Sequence, residues 1–188
     1  MENEYKILVR KLFKAYLNDE NMKNKLDFKV YDYLSYNKLD MAFYSVYEDN
    51  REKNSELVRL FQTKRNRIRT INRLYQDEID KLLLDFEKNN VRYAFLKGWA
   101  CLIGLYHNLE DRYFADIDIL VEEEELSKVE KILLDNGYQY GVEEDGEIKT
   151  VDREKILFQR YFTHEIYNMV KRVQDTFINV DINFRFAW

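Results

Sequence analysis

The sequence predicts an α+β protein in which a mixed β-sheet flanked by helices follows an all-helical N-terminal region. Three observations predict it. Residues 1–88 carry apolar side chains at intervals of three and four, the period of a helix face. After Asn89 the apolar runs become short and β-prone. These runs are separated first by helical stretches and then by tight turns, which is the order of a mixed sheet with helices on one face. The expected organisation is a helical region over 1–88 and an α+β domain over 89–188.

Taken in order, "EYKILVRKLFKAYL" at 4–17 places Ile7, Leu8, Leu12, Tyr16 and Leu17 near one helix face. Asp27 is positioned to cap a second helix through "FKVYDYLSYNKLDMAFYSVYE". A third, long helix runs from Ser55 to Lys88, with Leu57, Leu60, Phe61, Ile68, Ile71, Leu74, Tyr75, Ile79, Leu82, Leu83 and Phe86 recurring along it. Asn89 and Asn90 are stop signals, and Val91 to Leu96 is a short strand ending near Gly98. A helix follows across "WACLIGLYHNL", then "FADIDILV" as a strand. The stretch "EEEELSKVEKILLDNG" is a helix with acidic residues in its first turn and Gly137 at its end. "YQYGV" is the next strand, Asp145-Gly146 a turn and 154–162 a helix. The segments "EIYNMVKRV" and "TFINVDINFRF" form a hairpin around Gln174-Asp175.

Composition narrows the classes of function. The chain has 188 residues, 46% hydrophobic and 35% charged, enough for a core and a solvated surface. No apolar run reaches the roughly 20 residues of a membrane span, and "MENEYKILVRKLF" is too charged for a signal peptide, so a cytoplasmic location follows by default. One cysteine and two histidines exclude an internal disulfide and a thiolate or imidazole zinc site, so any metal must be held by oxygen. The net charge of −5 argues against a dedicated nucleic-acid binder. The acidic excess lies in residues 89–188, which suits a cation site.

Two aspartates interrupt the apolar run "FADIDILV". Strand side chains at i and i+2 share a face, so Asp116 and Asp118 project together while Ile117, Ile119 and Val121 point into a core. Two ionised carboxylates this close repel unless a cation lies between them, and hard oxygen ligands favour Mg²⁺ or Mn²⁺. In "INVDINF" the same alternation sets Asp181 with Asn179 and Asn183, opposite Val180, Ile182 and Phe184. Three carboxylates on neighbouring strands can hold two ions roughly 3.5–4 Å apart, the spacing used in phosphoryl transfer. Upstream, Gly98 in "FLKGWA" marks a strand-to-helix turn suited to an anion, and Lys97 and Arg112 can add positive charge for a triphosphate.

Each residue also has a structural reading: an edge or turn for the aspartates, an ordinary helix start for Gly98, a solvated side chain for Lys97. The basic cluster Lys64, Arg65, Arg67, Arg69 and Arg73 is either a solvated helix face or a contact to phosphates or nucleic acid.

The ordered set "LKG", "RYFADIDILV", "NGY" and "INVDINF" resembles the bacterial nucleotidyltransferase-like family of the polymerase-beta superfamily, a group described as uncharacterised nucleotidyltransferases. The resemblance covers about residues 89–188 by motif, and the helical N-terminal region also resembles that family's leading segment. It implies a minimal nucleotidyltransferase fold and Mg²⁺-dependent transfer of a nucleoside monophosphate from an NTP, ATP foremost, with release of pyrophosphate. Carried onto this chain, it makes Asp116 and Asp118 the metal-binding pair, Asp181 the third carboxylate, Gly98 the phosphate-loop glycine, and Lys97 and Arg112 the accompanying basic residues. The chain departs from the pattern in having Trp99 after Gly98, Asn183 where the family has histidine, and an end at Trp188 where relatives continue into another helical region. These departures motivate a second expectation: a nucleotidyltransferase-like module without catalysis that binds a protein partner, or a second copy of itself, through its N-terminal helices.

Overall fold

The computed structural model describes residues 2–18, 20, 22, 28–46 and 56–184. The expected cap at Asp27, the helix start at Ser55 and the residues after Phe184 lie outside the described residues. The chain forms two compact units. One comprises residues 1–70 and 105–113, the other residues 71–104 and 114–188.

The first unit holds helices α1 (Glu2–Leu17), α2 (Phe28–Tyr36) and α3 (Asp40–Val46), the first part of α4 (Glu56–Lys88), and a 3-10 turn at Leu109–Asp111. Leu12, Tyr16, Leu34 and Phe43 form one buried cluster, and Met41, Tyr44, Phe61 and Ile68 another. The expected second helix is in fact two. The chain turns at Lys38, whose φ of 57° is left-handed, and the Leu39 amide donates back to the Leu34 carbonyl at 2.8 Å. Burial of Leu34 and an ion pair from Lys64 to the buried Asp40, the first residue of α3, fix that break. No glycine or proline announces it, so periodicity alone runs the helix through.

The second unit contains the rest of α4, then β1 (Tyr93–Phe95), α5 (Lys97–Leu105), β2 (Ile117–Val121), α6 (Leu126–Asp135), β3 (Gln139–Glu144), β4 (Glu147–Thr150), α7 (Arg153–Phe162), β5 (Met169–Val173) and β6 (Thr176–Asn183). The six strands form one mixed sheet in the order β1-β2-β6-β5-β3-β4, confirming the α+β class. Only β2 and β6 run parallel; the remaining pairings are antiparallel. Tyr75, Ile79, Leu82 and Phe86 are buried along one face of α4, and the Tyr75 hydroxyl donates to the carbonyls of Ala115 at 2.6 Å and Phe177 at 3.2 Å. Asn90 ends α4 with a φ of 52°, and the β3–β4 hairpin turns through Asp145 and Gly146 with φ of 56° and 78°. Both signals act where the sequence places them.

Helix α5 was expected across 99–109 and instead spans Lys97–Leu105. Its early start has a packing cause. A Cβ on Gly98 would lie 2.9 Å from the Cβ of Phe114, so glycine lets the first turn of α5 approach the base of that side chain. Trp99, 4% exposed, packs edge-on against Phe95 and Phe114 and is a core residue.

Candidate metal centre

Strands β2 and β6 place the acidic residues. Ile117, Ile119 and Val121 on one strand, and Ile178, Val180 and Ile182 on the other, are all buried. That apolar face anchors both strands by hydrophobic burial and turns the alternate side chains to the opposite face. Because the strands are parallel with Asp118 directly opposite Asp181, the two carboxylates lie side by side on that face. Asp116, just ahead of β2, completes the group: one carboxylate oxygen from each of the three lies within 4.8 Å of the others. Residues separated by more than sixty positions in sequence thus converge on one volume.

Asp118 is 1% exposed. Lys97 donates from Nζ to its Oδ1 at 2.6 Å, while its Oδ2 is buried without a hydrogen-bond partner. An unpartnered buried carboxylate oxygen is costly, and the three acids together, with one ammonium among them, are under-neutralised. Burial pushes the Asp181 carboxyl up to about 6, and the charges of Asp118, Asp116 and Glu165 push the same way against the opposing pull of Lys97. The hydrogen bond to Asp118 holds the Lys97 ammonium above its ordinary range, supported by the charges of Asp118, Asp181 and Asp116. Lys97 achieves this from a left-handed backbone, φ 45°, a conformation that is unfavourable for a residue with a Cβ.

Of the residues singled out in the sequence, the second unit brings together Asp116, Asp118, Asp181 and Lys97, with Gly98 beside Lys97 at the start of α5. Arg112 belongs to the first unit, where it donates to the Tyr106 hydroxyl at 3.2 Å and lies over that ring. The basic cluster is largely committed to acids: Lys64 pairs with Asp40, and Arg65 and Arg69 pair with Glu110.

Glu165 is the functional candidate that sequence reasoning missed. It pairs with Asn183 in an isolated antiparallel bridge, which sets its side chain on the face of Asp181. Between this pairing and that of Met169 with Val180, residues 165–169 take four steps where 180–183 take three. One extra residue is therefore inserted beside Asp181, the kind of bulge that re-aims side chains next to functional sites. No motif surrounds Glu165, and a lone glutamate after an amphipathic helix carries no signal of its own.

The donor set of hard carboxylate oxygens, with the orphaned Oδ2 of Asp118 among them, fits a divalent cation of the Mg²⁺ or Mn²⁺ kind. A mixed sheet that gathers three carboxylates at a parallel strand pair is a framework that could hold an oxygen-ligated cation. The chain belongs to the family described as uncharacterised nucleotidyltransferase, whose model matches residues 29–187. That membership supports nucleotidyl transfer as its activity. No curated protein and no solved structure matches the chain. Among the described residues, no helix is long and apolar enough to cross a membrane.

Proposed function

We propose that the protein transfers a nucleoside monophosphate from an NTP, ATP foremost, to a hydroxyl-bearing acceptor, with Asp116, Asp118 and Asp181 holding Mg²⁺ or Mn²⁺. The observation that carries this reading is the in-register pairing of Asp118 with Asp181, which gathers three carboxylates around the single ammonium of Lys97 and leaves Asp118 Oδ2 without a partner. A cation bound there would act as a Lewis acid on the transferred phosphoryl group. The protein's own residues do the rest. Asp118, buried and fixed by the register of its strand against β6, orients the site. Asp181, whose carboxyl burial pushes up to about 6, accepts the proton of the attacking hydroxyl. Lys97 and the first turn of α5 at Gly98 face the phosphates with an ammonium and with helix N-terminal amides.

Melting curves with Mg²⁺ and each of the four NTPs test it. Mg²⁺-NTP raises the melting temperature of the wild type and leaves the Asp116→Ala/Asp118→Ala protein unmoved, and pyrophosphate release follows the same division. Equal shifts in both proteins would sink the site.

A further inference from the structure

The ammonium that neutralises Asp118 arrives on an unusual mount. Lys97 has a side chain 66% exposed, a left-handed backbone and one polar partner, the Oδ1 of a carboxylate that is itself 1% exposed. With most of its side chain in solvent, the ion pair to Asp118 is the contact that holds its head among the described residues. That head is drawn by Asp118 first and by Asp181 and Asp116 as well, the same three acids that fit a divalent cation. Two cations sharing one carboxylate group repel, and the one on a flexible, solvated stem is the one that leaves.

From this geometry we infer that Lys97 is a displaceable counter-ion: it competes with the divalent cation for Asp118 and, once displaced, places its ammonium on the phosphates of the nucleotide. The inference rests on the metal-dependent reading above and adds a regulatory consequence. Cation and nucleotide bind cooperatively, because the cation releases the lysine that the nucleotide needs. By linkage, the nucleotide tightens the cation by the same factor. The backbone strain at Lys97 fits this role, since it lies at the first residue of α5, from which a side-chain rotation alone moves the ammonium.

Two measurements test this. Mn²⁺ binding followed by electron paramagnetic resonance, without nucleotide, should be about tenfold tighter in Lys97→Met than in wild type, with Lys97→Arg close to wild type. In wild type, α,β-methylene ATP should tighten Mn²⁺ several-fold, and in Lys97→Met this enhancement should vanish. Acetic anhydride labelling of wild-type Lys97, read by peptide mass spectrometry, should rise on adding Mg²⁺ and fall again on adding the analogue. Equal Mn²⁺ affinities in wild type and Lys97→Met, or labelling indifferent to Mg²⁺, overturn displacement and leave the metal site standing. Absence of Mn²⁺ binding in both proteins overturns displacement together with the metal reading. The labelling arm uses the unaltered chain, so a poorly folding variant does not blunt the test.

Discussion

Two aspartates, one in each compact unit, are withdrawn from water to the same degree and treated in opposite ways. Asp111 is 0% exposed and Asp118 is 1% exposed. Asp111 accepts from the Tyr16 hydroxyl at 2.7 Å, the Ser45 hydroxyl at 2.6 Å, and the amide and side chain of Asn108 at 3.1 and 3.0 Å. Both of its oxygens are used. Asp118 has Lys97 on one oxygen, nothing on the other, and two further acids within reach. Burial is therefore no guide to the purpose of a carboxylate; the completeness of its hydrogen bonding is. A satisfied acid ties a helical unit together, and an unsatisfied one leaves an oxygen open to a ligand.

The sharpest way to break this comparison is to neutralise each acid in turn. Asp118→Asn should lower nucleotide-dependent pyrophosphate release by about 10³-fold or more, a loss of about 4 kcal/mol in transition-state stabilisation. Its melting temperature in the absence of metal should stay level or rise, because a repelling charge has gone. A fall in melting temperature would place Asp118 with the structural acids. Asp111→Ala should do the reverse. It removes the acceptor of the buried Tyr16 hydroxyl and the half-buried Ser45 hydroxyl and should cost about 3 kcal/mol, a drop of roughly 6–12 °C, while the Mg²⁺-NTP shift survives.

A pH series sharpens the contrast at Asp181. Its folded pKa, about 6, stands above its ordinary carboxylate value, so the native state binds this proton more tightly than the unfolded chain does. The metal-free protein should then lose stability as pH rises from about 4 through about 6, with the penalty fully present above 6. Asp181→Asn should flatten that segment of the profile and raise the melting temperature by a few degrees at pH 8. An unchanged slope would show that the acids are not under-neutralised. The smallest effect belongs to Gly98→Ala, whose added methyl meets Phe114. It should cost about 1–2 kcal/mol by overpacking and be read as a modest drop in melting temperature.

Legibility in the sequence followed how local each cause was. Helix α4 could be read from the recurrence of Tyr75, Ile79, Leu82 and Phe86, and the hairpins from Asp145-Gly146 and Gln174-Asp175, because those patterns are complete within a few residues. The sharing of one face by Asp116 and Asp118 was legible for the same reason. The break between α2 and α3 was not, since a left-handed lysine held by a buried leucine and a distant ion pair leaves no local mark. Glu165 was equally silent, because its place beside Asp181 depends on an inserted residue in a neighbouring strand.

By itself, then, the sequence determined the α+β class, the helical lead, the oxygen-only character of any metal site and the identity of three candidate acids. Alternation and composition are properties of the chain and survive without a fold. Only the tertiary structure decided that Asp118 faces Asp181, that Lys97 reaches across to Asp118, and that Gly98 answers to Phe114. The parallel pairing of β2 with β6 joins strands far apart in the chain, and its register is set by burying Ile117 with Val180 and Ile119 with Ile182, not by any local motif.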